Sequence, residues 1–341
     1  MKKILVTGDR GYIGAVLVPN LLKNNYEVIG IDTEYFKKNI SKLVSSRNYK
    51  KINKDIRNIS KNDFNDIDTV IHLAALSNDP IGELDKKLTS EINFLTTVKL
   101  AKLAKKSGVR RFIFSSSCSI YGKTEQSIVS EKSKVNPLTE YARSKIKSER
   151  ELLKLADKNF CVTIMRNSTV YGFSPKFRDD LVVNNFIANG ISTKKIILKS
   201  DGTAWRPLID VRDLSRAFLM FVEANENLIN GKVFNVGFDD GNYQIKDVLK
   251  IVKNNLKDCE IVFEGGNNKD LRSYKVSFEN FSNLFPDFKK EWDMEKSSKD
   301  MIKNLKNKYS KNDLKNGNYS RIEVLKKLTD SKKLNKSLRW I

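Results

Sequence analysis

Tyr141 and Lys145 stand four residues apart in the segment YARSK, so on a helix a phenol and an ammonium share one face. A cation beside a phenol favours the phenolate, and a group with a free pKa near ~10 then accepts a proton much closer to neutrality. Upstream, FIFSSSCSIYG sets hydroxyls at the end of an apolar run, and TGDRGYIG sets Gly8, Gly11 and Gly14 near the head of the chain. The first glycine permits a tight turn, the second lets the backbone approach a pyrophosphate, and the third lets helix and strand pack closely. Tyr12 and Ile13, between the last two glycines, lead into a helix N-terminus whose free N–H groups face phosphates. The combination reads as hydride chemistry on an alcohol or ketone beside a bound dinucleotide.

Asp32 closes the run EVIGID. A carboxylate there hydrogen-bonds both adenosine ribose hydroxyls and repels a 2′-phosphate. Thr33 and Glu34, which follow it, offer no cation to receive that phosphate, so the expected cofactor is NAD and not NADP. Asp55 and Ile56, at another strand end, are candidates to bracket the adenine. The backbone of Ala74 and Ala75, in VIHLAALS, is expected against the dinucleotide. His72 in that run is the single histidine of the chain. It removes any Ser-His-Asp triad and most metal sites, and its apolar surroundings predict a packed imidazole at the edge of the cofactor pocket. Cys118, Cys161 and Cys259 are too scattered for a disulfide framework or a zinc cluster. No metal is expected.

These residues sit on an alternation of short apolar strands and amphipathic helices. KILVTG, EVIGID, TVIHLAA, RRFIFSSS and CVTIMRNS read as strands; Gly14–Asn24, Ser90–Ser107 and Thr139–Asp157 read as helices. That order builds an α/β fold, a doubly wound parallel sheet of Rossmann type with ligands at the carboxyl ends of its strands. Residues 1–172 are expected to form the dinucleotide-binding part, with 208–240 returning to it. Residues 173–341 supply most of a smaller C-terminal α/β substrate lobe and a basic end. Within that lobe Lys303–Lys315, rich in Lys, Asn and Asp, is expected as a surface excursion. No apolar run approaches the ~18 residues of a membrane helix. The opening MKKILVTG is a strand and not an export signal, and the cytoplasm is the expected location.

The chain has 341 residues and a net charge of +22, with its cations spread among interleaved acids. The expected consequence is a solvated surface that draws in anions, and no specific nucleic-acid site. No aromatic-basic array of the kind that stacks on single strands is present.

Taken together, TGDRGYIG, Asp32, KDIR, VIHLAALS, SSSCSIYG, YARSK, MRNSTVYG and WRPLIDVRD resemble, in order, the extended short-chain dehydrogenase/reductase family, and within it the NAD-dependent nucleotide-sugar epimerases and dehydratases. The resemblance implies that Tyr141 is the acid/base. It also implies that Lys145 tunes Tyr141 and holds the nicotinamide ribose, and that Ser117 hydrogen-bonds the reacting oxygen. It implies a nucleotide diphosphate sugar as substrate, with Arg206 and Arg272 on the diphosphate. A homodimer through the helices at Ser90–Ser107 and Thr139–Asp157 is implied as well. Arg178 is a further anion-binding candidate, and Ser77, Ser119 and Thr169 are candidate substrate contacts.

Departures from the family narrow the reaction. The 4,6-dehydratases carry Asp-Glu after the catalytic hydroxyl, where Cys118 and Ser119 stand here, so dehydration is disfavoured. Cys118 as a carbon-acid base is a minor alternative to a packed thiol. Thr169 replaces an asparagine that binds the diphosphate in many relatives, and the residues SNDP at 77–80 differ from those of galactose epimerases. The favoured reading is an epimerase acting at C4 through a transient keto sugar. A ketoreductase or dehydrogenase using the same residues once is the alternative, and a non-catalytic nucleotide- or RNA-binding protein the distant one.

Overall fold

The computed structural model describes residues 1–36, 44–77, 82–83, 85–264 and 272–341. Lys3–Thr7 (β1) reads KILVT and is buried from Ile4 onward. A strand apolar on both faces belongs inside a sheet covered by helices on both sides. The same holds for Glu27–Asp32 (β2), Thr69–His72, Arg111–Ser117 and Cys161–Asn167, whereas Tyr49–Asn53 (β3) is a more exposed edge. Numbering on, Thr69–His72 is β4, Arg111–Ser117 β5, Cys161–Asn167 β6, Thr169–Tyr171 β7, Lys195–Leu198 β8, Trp205–Asp210 β9, Lys232–Val236 β10, Asn242–Gln244 β11 and Glu260–Phe263 β12.

Seven strands form the main sheet in the order β10-β6-β5-β4-β1-β2-β3, each pair parallel. The order reverses at β1 and β4, where Thr7 lies beside both Ile31 and His72. A crevice opens at such a reversal, at the carboxyl ends of the strands. Gly8, Thr33, Leu73 and Cys118 all leave the sheet at that edge. The rest of the chain adds a three-stranded sheet, β11-β9-β7, and a two-stranded one, β12-β8. An apolar core joins them to the helices Val182–Thr193, Ile245–Asn255 and Met294–Lys308.

Two helices differ from the sequence expectation in an informative way. Thr139 caps the helix Glu140–Leu153, its side chain accepting from the Ala142 amide, and the helix ends four residues short of Asp157. The expected helix Ser90–Ser107 begins earlier, at Lys86, because the Asp85 side chain accepts from the Leu88 amide. It then passes through a π-helical turn at Glu91–Leu95 before Thr96–Lys106. The wider turn turns Asn93 toward the chain leaving β4, where its amide both accepts from Leu76 N and donates to Leu76 O.

Lys303–Lys315 is not a surface excursion. Its lysines face water, but Leu305, Tyr309 and Leu314 are buried in the second core, on the end of Met294–Lys308 and on a short helix Lys311–Lys315. Composition hid three buried residues among the lysines. Among the described residues no helix is long and apolar enough to cross a membrane, and no group of His, Cys, Asp and Glu is placed to hold a metal.

Candidate active site

A cavity of about 800 Å³ runs along the carboxyl edge of the main sheet. Gly8, Gly11, Tyr12, Ile13 and Gly14 line one end with Asp32, Asp55, Ile56, Ala74 and Ala75. Ser117, Tyr141 and Lys145 line its middle, and Ser77, Ser119, Thr169, Arg178, Arg206 and Arg272 the remainder. Every candidate residue of the sequence reading therefore reaches one space, although they come from ten separate stretches of chain. Of the segment 77–80, residues 78–80 lie outside the described residues.

The glycine turn fits a pyrophosphate. Gly8 has φ +75°, and a Cβ there would lie 2.9 Å from the Ala74 nitrogen. A Cβ on Gly14 would lie 2.3 Å from the Gly8 carbonyl oxygen, so any side chain would push the turn open. The helix Gly14–Lys23 has no acidic residue in its first turn to compete for an anion. Tyr12 fastens this loop to the second core: its hydroxyl donates to Gly172 O at 2.7 Å, and its carbonyl accepts from Ser174 Oγ at 2.7 Å.

Asp32 ends β2 with Oδ1 accepting from the Glu34 amide at 2.7 Å. Burial pushes its carboxyl up, opposed by that amide and by Arg10. The absence of a cation after Asp32 holds only for its immediate neighbours in sequence. Arg10 reaches Asp32 O at 3.2 Å and pairs with Glu34 at 3.2 Å, while Lys176 donates to Phe36 O at 3.1 Å. Asp55 caps a 3-10 turn and is gripped by the Arg57 guanidinium at 2.6 Å. Burial works against its charge, but the Arg57 contacts outweigh burial and hold its carboxyl below the ordinary range.

His72 is a buried neutral imidazole. Thr97 Oγ1 donates to Asn93 O at 2.8 Å, so it receives the His72 Nε2 proton, also at 2.8 Å. Nδ1 is then the acceptor for Thr7 Oγ1 at 2.6 Å. Thr7 Oγ1 in turn accepts from Ala74 N at 3.3 Å, so the ring braces the backbone beside the cofactor pocket. Burial, with Lys145 nearby, pulls its pKa down to about 3.

On the buried face of Glu140–Leu153, the Lys145 ammonium lies 5.7 Å from the centre of the Tyr141 ring and 4.6 Å from that of Phe114. It donates to Ser115 O at 2.6 Å. Burial pulls the ammonium down to about 7, with Glu149 opposing. Glu149 is anchored by Arg166 at 2.7 Å and by the Ser116 hydroxyl. Ser117 Oγ accepts from the Ser119 amide at 3.1 Å, which leaves its proton free to be donated. Ser119 Oγ is buried without a partner among the described residues, as is Asn167 Oδ1, two residues before Thr169. Cys118 faces away into a small core, its thiol donating to Arg166 O at 3.2 Å, and burial pushes its pKa far up. That thiol is no carbon-acid base.

Arg206, on β9, donates to Trp205 O at 2.7 Å and to Arg272 O, which brings the two arginines together at the far end of the cavity. Arg178 is not a surface residue: it is buried, forked onto Asp180 at 2.8 and 3.1 Å, and donates to Ser77 Oγ at 3.1 Å. Its charge is largely met by Asp180. Arg321, absent from every motif, also lines the cavity. The only signal in sequence is S-R-I-E at 320–323, a helix-start pattern.

The model of the NAD dependent epimerase/dehydratase family matches residues 4–237. A putative UDP-glucose 4-epimerase of Methanocaldococcus jannaschii is 30% identical over 256 residues, covering 72% of this chain and 81% of the relative. The dTDP-D-glucose 4,6-dehydratase of Homo sapiens is 27% identical, covering 76% of this chain and 77% of the relative. Among solved structures, the UDP-glucuronic acid 4-epimerase of Bacillus cereus, in complex with UDP-glucuronic acid and NAD, superposes with a TM-score of 0.80 at 25% identity, covering 90% of this chain and 100% of that one.

Proposed function

This chain belongs to the NAD-dependent epimerase/dehydratase family, its cofactor is NAD, and we propose that it inverts C4 of a nucleotide diphosphate sugar. The observation that carries this reading lies at positions 118 and 119, next to the candidate acid/base set. Tyr141, Lys145 and Ser117 meet beside the glycine turn, whereas the two positions that would remove a proton from C5 hold a turned-away thiol and a hydroxyl.

When bound, NAD supplies a reversible acceptor for the hydride at C4. The protein does the rest. Tyr141 takes the proton of the C4 hydroxyl, helped by the positive charge of Lys145 on the same helix face. The ammonium, pulled toward neutrality by burial, is readily regained when a phenolate forms beside it. Ser117 donates to the oxygen as it becomes a carbonyl, and Ser119 Oγ offers a further hydrogen bond to the sugar. Arg206 and Arg272 hold the diphosphate so that the keto sugar can turn about that anchor and present its other face. The resident dinucleotide is then unchanged overall. The proposed assembly is a homodimer through the helix pair 86–106 and 140–153, where Leu95 stands 57% exposed.

Incubation with a panel of UDP-, GDP-, CDP- and dTDP-sugars, without added cofactor, should yield a C4 epimer by NMR. Tyr141→Phe should lower turnover about 100-fold or more while leaving NAD bound. Stoichiometric NADH consumption or release would replace the epimerase reading by the ketoreductase one.

A further inference from the structure

The C-terminal segment, beyond the family match at 4–237, closes the cofactor end of the cavity. Its helix Arg321–Asp330 begins at the cavity wall, with Ser320, Arg321 and Leu325 among the lining residues. The first N–H groups of a helix have no acceptor within it, and here the Ser320 side chain caps none of them. Arg321 is 3% exposed. Of its five N–H donors, one bonds Lys176 O at 3.1 Å, and its flat face lies 3.9 Å from the Phe36 ring centre. Among the described residues no carboxylate lies within ion-pair distance of it. Asp180, the obvious partner, is committed to Arg178.

A buried guanidinium with no carboxylate in direct contact is costly, and burial together with Arg178 pulls Arg321 down to about 9 against the opposing pull of Asp180, Asp32 and Asp179. Its position says which anion would relieve that cost. It stacks on Phe36, four residues past the Asp32 that marks the adenosine ribose, and it lines the same cavity as Tyr141, the candidate residue at the nicotinamide end. The pyrophosphate of a dinucleotide lies between its two riboses.

The last residues reinforce this end. Trp340 Nε1 donates to Thr33 O at 2.7 Å, Leu338 O accepts from the Tyr35 hydroxyl, and Ser337 O accepts from Arg57 at 2.8 Å. The tail thus braces both loops, after β2 and β3, that shape the adenosine pocket.

We propose that the C-terminal segment is part of the dinucleotide site: Arg321 and the first turn of its helix hold the pyrophosphate opposite Gly11–Gly14, and residues 337–340 hold the adenosine loops in place. This rests on NAD binding and not on the sugar reaction, so it survives or fails independently of the epimerase reading.

The test is calorimetric titration of NAD-stripped protein with NAD, ADP and adenosine. Arg321→Met should weaken NAD and ADP about 10- to 100-fold and adenosine less than two-fold, with Arg321→Lys recovering part of the loss. Trp340→Ala should weaken all three alike. Equal loss of ADP and adenosine in Arg321→Met, or no loss of either, would overturn the assignment. If Arg321→Met does not fold, the ADP-to-adenosine affinity ratio of Arg321→Lys decides in its place: a reduced ratio supports the contact and an unchanged one refutes it.

Discussion

Asp32 is the residue on which the choice of NAD turns, and Asp32→Ala makes that reasoning measurable. The carboxylate stands where two ribose hydroxyls would donate to it, and hydrogen bonds to a charged acceptor contribute about 1.5–3 kcal/mol. Allowing for water entering the space left by the side chain, NAD should bind about 10- to 100-fold more weakly. For NADP the balance is opposite. A unit charge of the 2′-phosphate about 4 Å from the carboxylate is repelled by roughly 4 kcal/mol at an effective dielectric constant near 20. Removing the carboxylate lifts that repulsion. The ratio of the two dissociation constants should therefore move by about a thousand-fold toward NADP. Titration of stripped protein with each cofactor at about 0.1 M salt measures both, with thermal melts to show that the fold persists. Asp32→Asn, which keeps the shape and drops the charge, should lie between. Unchanged NAD affinity in a folded Asp32→Ala protein would refute the placement of the ribose. Loss of NAD with NADP still rejected would show that Asp32 does not exclude the phosphate.

Two further outcomes test other parts of the site. Arg206→Ala should raise the KM for the nucleotide sugar about 10- to 100-fold while kcat and the affinity for NAD change little, since its guanidinium lies at the end of the cavity away from the glycine turn; steady-state kinetics beside an NAD titration separates the two. His72 should stay neutral. Its folded pKa, about 3, lies below the ordinary 6.5, so its contribution to stability is fully present above pH 6.5 and is lost as pH falls from there toward 3. By pH 5 that loss is about 2 kcal/mol, and the single imidazole C–H resonance of the folded protein should show no titration between pH 8 and 5. A midpoint near 6.5 would mean the ring is solvated.

Much of this site could be read from the chain because its chemistry is written in local spacing. Gly8, Gly11 and Gly14 report a turn that only glycines can make, and Tyr141 and Lys145 report a shared helix face. Position in the strand pattern then places Asp32 and Ser117 at the same sheet edge. What could not be read depends on partners distant in sequence. Arg10 and Lys176 reach the end of β2 from 22 and 144 residues away, so the cations near Asp32 were invisible to a reading of the residues that follow it. Arg178 was legible as an anion-binding candidate, but its partners Asp180 and Ser77 were not. The π-turn at Glu91–Leu95 has no residue signature and exists because Asn93 has Leu76 to bond. Lys303–Lys315 misled through composition, since Leu305, Tyr309 and Leu314 are few among many polar residues.

The proposed reaction rests less on the residues shared with dehydratases than on two that are missing. A dehydratase and a C4 epimerase begin alike, with a proton taken from the C4 hydroxyl and hydride leaving the same carbon. They diverge once the 4-keto sugar exists, because its C5 proton has become acidic and a nearby base will remove it. Cys118, buried with its thiol on a backbone carbonyl, cannot act there without breaking its packing. Ser119 has a free hydroxyl but no base beside it to activate it among the described residues. Placing Asp-Glu at 118–119 would put a carboxylate in the small core around Tyr121 and Val129, where an unpaired charge is expensive. On that reading, the packing behind β5 disfavours a C5 base at these two positions. On the proposed epimerase reading, a keto sugar held by its diphosphate, with neither residue 118 nor residue 119 able to act as a base at C5, turns over and takes its hydride back.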